Sequence, residues 1–408
     1  MDRKLSQWLV LFVLGLTAHQ ASADAVLDWN KIAIEAVIAA RQTPPEMTRS
    51  MAIVHSAIFD AVNAVEGQYK PYRQGIAVPV VPAVPLPAGA AAGAAHMALK
   101  RLFPDQAGRL DASLADWLGA TADPDARNVT AFGATVGADA FTARGSDVTA
   151  PGAAYRPLAM PGRYVPTTMP VFVAWANAQP WLMSRADQFR PGPPPALTSA
   201  QWATDYNEIK SLGGKNSATR TKEQTEIGLF WVFTGAPAWN PIVRELSSRG
   251  NRTLSQNARL FALVYLAAAD SLIAVFDAKY HYEFWRPLTA IRNGDIDGND
   301  ATLQDSAWTP LVENPMHPEY PCAHCINAGA VGAVLELEFG SGMLEPFSMA
   351  SPTLPNVVRR WSRIADYVSE VSDARVWSGV HYRTSARVGE AMGRAIGEMA
   401  VTNALRER

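Results

Sequence analysis

The chain has 408 residues, of which 48% are hydrophobic and 18% are charged, and its formal net charge is −2. This length and apolar content are enough for a large buried core. The balanced charge provides no polybasic surface for nucleic acid or an anionic membrane. We therefore expect small-molecule substrates, no nucleic-acid partner and no stable membrane insertion.

The first 23 residues have the pattern of a secretory signal peptide. Arg3 and Lys4 precede an apolar run over residues 8–17, and the Ala-Ser-Ala sequence at 21–23 fits a cleavage site. The run is shorter than the roughly 20 residues of a membrane span, which favours a cleaved signal over an anchor. We predict an exported protein, periplasmic or secreted, whose mature chain begins at Asp24.

Helical periodicity dominates the rest of the chain. Apolar residues recur at three- to four-residue spacing, which is the period of a helix with one buried face. Helices are predicted over residues 28–41, 47–65, 88–103, 105–119, 125–145, 199–212, 221–234, 254–285, 323–340, 355–371 and 385–405. Because no alternating strand pattern of useful length is present, the predicted fold class is all-α, built from helical bundles.

A long segment rich in proline, glycine and tryptophan, residues 145–195, separates two groups of predicted helices. Connections of this length are commonly functional or packed covers. We therefore predict an N-terminal helical half, 24–190, which includes this cover, and a C-terminal helical half, 191–408, which carries the candidate site.

The first candidate segment holds two cations. Lys279 and Arg286 are seven residues apart, so on one helix both would project from the same face, and a proline directly after Arg286 predicts the helix end there. Cations among aromatic residues need an anionic partner. That partner is either a bound oxyanion or one of the nearby carboxylates Asp277, Glu283 and Asp295.

The second segment begins a long apolar helix with Cys322, Ala323 and His324. The first turn of a helix has unpaired N–H groups and the positive end of the helix dipole, which together favour an anion. A histidine at this point would also suit proton transfer. The alternative is ordinary helix capping with an exposed histidine.

The third segment holds Arg375 and His381. Six residues on a continuous helix would point the two side chains to different faces, but Gly379 between them permits a break that re-aims both. Arg375 offers a two-pronged donor for an oxyanion, and His381 is a candidate ligand or nucleophile. The alternative is a surface arginine and a hydrogen-bonded core histidine.

Taken in order, the three segments resemble the signature of the vanadium-dependent haloperoxidase and type 2 phosphatidic acid phosphatase superfamily. That signature is Lys-x6-Arg-Pro, then Pro-Ser-Gly-His, then Ser-Arg-x3-Gly-x-His-x3-Asp. The resemblance extends to residues 25–29, 52–63 and 187–191 and is greatest with the secreted bacterial haloperoxidase-like branch. It implies a helical fold of the haloperoxidase and acid phosphatase type.

The resemblance also implies roles for the site residues. His381 would bond to vanadium, or attack phosphorus in a phosphatase, and His324 would be the general acid-base residue. The bound vanadate of such enzymes polarises peroxide toward halide attack. The residues implied to hold the oxygens of vanadate or phosphate are Lys279, Arg286, Arg375, the backbone N–H of Ala323 and the side chain at Cys322.

Four positions depart from the family pattern. The motif serine is Cys322, a weaker hydrogen-bond donor than a hydroxyl, and the motif glycine is Ala323. The serine before the motif arginine is Ala374. The final aspartate is Ser385, so any carboxylate that orients His381 must come from elsewhere in the chain.

His317 lies five residues before Cys322, and Phe276, one of the aromatic residues around Lys279, is a further residue expected close to the site. In the family an aromatic residue at the position of His317 is typical of chloride-oxidising enzymes and a histidine of bromide-oxidising ones. The resemblance therefore favours bromide or iodide as the halide. The alternative is a loop histidine without a role.

Cys322 and Cys325 form a Cys-x-x-Cys pattern at a helix start, where the pKa of a thiol falls. In an oxidising compartment they could form a disulfide that reshapes the anion site. A thioredoxin-type enzyme would require a βαβ context, which the sequence does not show.

Three hypotheses for the function follow. The favoured one is a vanadate-dependent haloperoxidase-like enzyme that uses hydrogen peroxide to oxidise halide. The second is an acid phosphatase that hydrolyses phosphoesters through a phosphohistidine at His381. The third is a non-catalytic or thiol-gated oxyanion binder. Haloperoxidases of this group are often oligomeric, so a homo-oligomer remains open.

Overall fold

The computed structural model describes residues 24–76, 87–120, 126–144, 147 and 154–408. The predicted signal peptide, residues 1–23, lies outside the described residues.

Thirteen α-helices make up most of the described chain and confirm the all-α prediction. Their bounds are α1 Ala25–Ala39, α2 Pro44–Glu66, α3 Pro87–Leu102, α4 Ala107–Ala120, α5 Ala126–Arg144, α6 Ala200–Leu212, α7 Lys222–Phe230, α8 Asn240–Ser247, α9 Leu254–Tyr282, α10 Pro287–Arg292, α11 Ala323–Phe339, α12 Ile364–Trp377 and α13 Arg383–Asn403. Thr221 and Gln224 form a capping box at the start of α7.

A small antiparallel hairpin is the one sheet among the described residues, with β1 at Phe347–Ser351 and β2 at Leu354–Trp361. The helix predicted over 355–371 is therefore wrong in its first half. Two adjacent valines in β2 favour an extended strand, and Trp361, paired with Phe347 in register, packs its ring 5.9 Å from the phenylalanine ring. These tertiary contacts outweigh the helical spacing of the segment.

The 29-residue helix α9 is the central element of the core. It packs against α2, α11 and α13. Of the described helices it is the one long and apolar enough to cross a membrane, but 94% of its most apolar window is buried inside the protein. One continuous apolar cluster includes residues of both predicted halves. The boundary at residue 190 remains a prediction.

Glycines bring α13 into close contact with α11. A Cβ atom at Gly393 would lie 1.9 Å from the carbonyl oxygen of Ile326, and one at Gly389 would lie 2.6 Å from that of Cys322. Real side chains do not tolerate such distances, so glycine is required at both positions. The close approach places the start of α13 beside the start of α11, where two of the candidate segments meet.

The irregular segment that precedes α6 is packed onto α9. The backbone N–H groups of Trp181, Leu182 and Met183 donate to the buried Asp270 carboxylate at 2.6–2.8 Å. Earlier in the same segment, the ring of Phe172 lies 6.3 Å from that of His317. We call residues 171–190 the cover segment, because this part of the chain lies against the candidate site.

Candidate functional site

Lys279 and Arg286 do not share a helical face, so that prediction is wrong. Helix α9 ends at Tyr282 because Glu283 adopts a left-handed conformation with φ of 50°. Arg286 then has extended backbone, as expected before a proline, and is the N-terminal cap residue of α10.

The two cations converge instead on one loop, residues 317–319. Lys279 Nζ donates to the carbonyl oxygens of Pro318 and Glu319 at 2.9 and 2.8 Å. Arg286 Nε donates to the carbonyl oxygen of His317 at 2.9 Å. The loop therefore brings Lys279 and Arg286 together, which the prediction had assigned to a shared helix face.

The third cation, Arg375, lies in the last turn of α12. Its Nη1 donates to the carbonyl oxygen of Trp231 at 2.9 Å, and its buried Nε has no hydrogen-bond partner among the described residues. Gly379 follows with φ of 82°, which confirms the predicted break. The turn brings His381 Nε2 within 3.3 Å of Arg286 Nη1.

These three cations are buried, with exposures of 0%, 0% and 3% for Lys279, Arg286 and Arg375. Burial lowers the pKa of Lys279 well below its usual value, and it lowers the pKa of Arg286 to about 10 and that of Arg375 to about 9. Glu319 partly offsets the shifts of Lys279 and Arg286. A bound oxyanion would compensate the positive charges and raise these pKa values again.

Glu319 is a site residue that the sequence analysis missed. Its buried Oε1 accepts hydrogen bonds from His381 Nδ1 at 2.8 Å and from the backbone N–H of Tyr382 at 3.1 Å. Burial raises the pKa of Glu319 to about 7, while Lys279 and Arg286 act to lower it. The feature of the sequence that could have indicated Glu319 is its place as the lone acid in the Pro-Glu-Tyr-Pro stretch before the second segment.

The Glu319 contact determines which nitrogen of His381 faces the site. A carboxylate accepts, so Nδ1 carries the proton and Nε2 is left with a lone pair. Burial, reinforced by Arg286, lowers the pKa of His381 well below its usual value and keeps the ring neutral. Ser385, at the position of the family aspartate, is 3.5 Å from Nδ1 and is the weaker partner.

His324 presents a second neutral imidazole. Burial and then Arg375 lower its pKa well below the usual value, and the backbone of Val232 offsets this only in part. Its Nε2 is buried and has no partner among the described residues. A neutral imidazole keeps one unprotonated nitrogen, so the unpartnered Nε2 is the candidate proton acceptor.

Cys322 and Cys325 form a disulfide, the outcome left open by the sequence. Cys322 Sγ caps α11 by accepting the backbone N–H of Cys325 at 3.2 Å. A disulfide sulfur has no proton, so in this form Cys322 cannot donate to an oxyanion as the family serine does. The start of α11, at Ala323, remains the backbone contribution of this segment.

His317 and Phe276 lie at the edge of the cationic cluster. His317 Nδ1 is 3.0 Å from Arg286 Nη2 and 3.2 Å from the carbonyl oxygen of Pro318. Arginine only donates and a carbonyl only accepts, so the shorter contact favours Nδ1 as the acceptor from Arg286. The ring of Phe276 lies edge-on to the imidazole, with centroids 5.3 Å apart. Burial and then Lys279 lower the pKa of His317 well below its usual value.

A small cavity of about 20 Å³ opens beside His324, with Trp231, Trp239 and Tyr367 in its wall. In the described part of the chain, no cluster of three or more His, Cys, Asp or Glu side chains could hold a bare metal ion. Three buried cations, the orphaned Arg375 Nε and a histidine lone pair instead fit an oxyanion such as vanadate or phosphate.

Comparisons with known proteins agree with this geometry. The family described as the VCPO second helical-bundle domain matches residues 259–407. The chain is 29% identical over 177 residues to vanadium chloroperoxidase of Curvularia inaequalis, a match that covers 36% of this chain and 29% of that protein.

Two solved structures extend the likeness to nearly the whole chain. A bacterial vanadium-dependent iodoperoxidase has a TM-score of 0.77 at 25% identity, with 95% of this chain and 96% of that chain covered. A holo-type bacterial vanadium-dependent chloroperoxidase, at 19% identity, has a TM-score of 0.71 with 88% and 91% covered, which shows the fold alone. From the motifs, the fold and these relatives together, we conclude that this chain belongs to the vanadium haloperoxidase superfamily.

Proposed function

We propose that this protein is a vanadate-dependent haloperoxidase that oxidises halide with hydrogen peroxide. The observation that carries the proposal is a cluster of three buried cations whose charges act on a neutral His381. Arg286 Nη1 lies 3.3 Å from His381 Nε2, and Glu319 accepts from Nδ1. Lys279, Arg286 and Arg375 would hold the vanadate oxygens, and His381 Nε2 would be the protein ligand to vanadium.

Bound vanadate supplies a Lewis-acid centre that activates peroxide for two-electron oxidation of a halide. The protein's own contribution is positioning, charge compensation and proton transfer. His324 Nε2 is unprotonated and buried beside the cavity, so it would accept a proton from incoming hydrogen peroxide. Cationic side chains fixed by backbone carbonyls require little rearrangement as negative charge develops.

Bromide or iodide is the proposed halide. His317 takes the place where the resemblance favours these ions, and it contacts Arg286 directly. The likeness to a bacterial vanadium-dependent iodoperoxidase supports the same choice.

A phosphatase is the second candidate, because the lone pair of His381 Nε2 would equally suit attack on phosphorus. Such an enzyme needs His324 as an acid that protonates the leaving group. The strongly lowered pKa of His324 favours proton acceptance instead. A non-catalytic or thiol-gated binder is the third candidate, supported by the disulfide at the helix start.

The test is an assay of purified protein, prepared free of vanadate and then loaded with orthovanadate. We expect peroxide-dependent bromination or iodination of monochlorodimedone only after loading. Failure of halogenation in loaded protein would refute the proposal, and p-nitrophenyl phosphate turnover in vanadate-free protein would establish the phosphatase. If neither reaction occurs before or after reduction with dithiothreitol, the protein is a binder.

Export is proposed as well, because the Cys322–Cys325 disulfide is typical of an oxidising compartment. Fractionation of cells that express the full chain, with N-terminal sequencing of the product, tests this. A cytoplasmic protein that retains residues 1–23 would contradict it.

A further inference from the structure

Two side chains of the proposed site lie against Trp231, a residue outside the three motif segments that directly follows α7. Arg375 Nη1 donates to the carbonyl oxygen of Trp231 at 2.9 Å. Trp231 and His324 line the same cavity. The position of Trp231 therefore sets the direction of a cation and shapes the surroundings of the proposed proton acceptor.

A partly buried carboxylate, whose side chain is 12% exposed, holds Trp231 in place. Trp231 Nε1 donates to Glu370 Oε1 at 3.0 Å. Glu370 also accepts from Arg359 at 3.1 and 2.7 Å and from Trp361 Nε1 at 3.1 Å. Glu370 lies in α12, five residues before Arg375. The same helix therefore carries Arg375 and the carboxylate that holds Trp231, whose carbonyl oxygen accepts from Arg375.

Packing reinforces this anchor. The Trp231 side chain is 2% exposed, and its ring centroid lies 5.6 Å from that of Tyr367 and 6.0 Å from that of Trp361. Trp231 and Tyr367 also line the cavity beside His324. A shift of Trp231 would therefore alter the anion contacts and the wall of the cavity together.

We propose that Trp231, tied to Glu370 through its indole N–H, is a positioning residue for the tetrahedral oxyanion. It acts through Arg375 and His324 and does not itself touch the anion. The inference rests on the oxyanion site of the proposed function, but it does not depend on which reaction that site performs.

Trp361 provides a matched control. Trp231→Phe and Trp361→Phe each remove one indole N–H bond to Glu370 and a similar buried volume. No hydrogen bond to Arg375 or His324 is described for Trp361. The two variants should therefore lose similar stability, while only Trp231→Phe should disturb the anion site.

The experiment titrates vanadate-free protein with orthovanadate, and separately with inorganic phosphate, by calorimetry, and records thermal unfolding of the same samples. We expect Trp231→Phe to weaken anion binding about three- to tenfold and Trp361→Phe less than twofold, the effect of one lost hydrogen bond.

Glu370 variants cover the case in which Trp231→Phe does not fold. Glu370→Ala should weaken binding as Trp231→Phe does, and Glu370→Gln, which keeps an acceptor oxygen, should restore most of the affinity. Equal losses in both tryptophan variants, or no loss in either, would overturn the inference. So would a wild-type protein that binds neither anion. A wild-type protein that binds vanadate but does not halogenate would refute only the proposed function.

Discussion

His381 Nδ1 donates to Glu319 Oε1 at 2.8 Å, and neither side chain is more than 1% exposed. The resemblance places an aspartate four residues after His381, but this chain has Ser385 there. A loop residue 62 positions earlier thus supplies the carboxylate. The pairing orients the imidazole and places the carboxyl group beside the buried side chains of Lys279 and Arg286.

Replacing this carboxylate should weaken the anion site. Glu319→Gln keeps an acceptor oxygen for Nδ1 but removes the charge that makes Nε2 a strong ligand. We expect the affinity for vanadate to fall roughly 10- to 100-fold, as is usual when the partner of a ligating histidine is changed. Calorimetric titration of the apo protein measures it.

Ser385→Ala is the control for this change, because the serine is the more distant partner of His381. This substitution should change the affinity for vanadate by no more than about threefold. If Glu319→Gln binds vanadate as tightly as the wild type, Glu319 does not control His381.

A serine at position 322 should improve anion binding. In Cys322→Ser/Cys325→Ala the disulfide is gone and a hydroxyl occupies the cap position of α11. We expect binding about two- to tenfold tighter than in Cys322→Ala/Cys325→Ala, which lacks both disulfide and donor. Equal affinities for the two double variants would show that position 322 makes no contact with the anion.

The cover segment should depend on Asp270. Its carboxylate accepts three backbone N–H groups, and an asparagine side chain would turn one NH₂ group toward those donors. Asp270→Asn should lower the free energy of unfolding by about 2–4 kcal/mol. Limited proteolysis should then cleave within residues 171–190.

Asp187→Asn, at a more exposed position of the same segment, is the comparison and should change stability by no more than about 0.5 kcal/mol. Resistance of Asp270→Asn to proteolysis would contradict the anchoring role.

Acid sensitivity should arise partly from His55. Burial lowers the pKa of this histidine from 6.5 to about 3, and its Nε2 accepts from Asn30 at 3.0 Å. The unfolded chain binds this proton near pH 6.5 and the native protein only near pH 3. The contribution of neutral His55 to stability is therefore fully present above pH 6.5, and it is lost as the pH falls from 6.5 toward 3.

His55→Gln should reduce the slope of unfolding free energy against pH, between pH 4 and 6, by about 1.4 kcal/mol per unit relative to wild type. Urea denaturation at several pH values measures it. Asp60 and Asp270, whose pKa burial raises to about 6, contribute with the opposite sign, but they are common to both proteins and cancel in the difference. If the unfolding free energies of wild type and His55→Gln depend on pH in the same way, His55 is not a source of the acid sensitivity.

Local residue patterns were sufficient for the helical class and for the break at Gly379. Caps, glycines and proline act over a few residues, so their effect can be read without the fold. Lys279, Arg286, Arg375, His324 and His381 were proposed as site residues because few residue types can hold an oxyanion or move a proton, and their roles stay predictions.

Tertiary structure decided how those side chains are held. The contacts of Glu319 with His381 and of Glu370 with Trp231 join residues 62 and 139 positions apart, and no local pattern encodes such pairs. The early end of α9 at Glu283 and the β1–β2 hairpin were likewise missed. In each case burial and long-range hydrogen bonds outweigh local preference, because free energy is gained only when distant segments pack together.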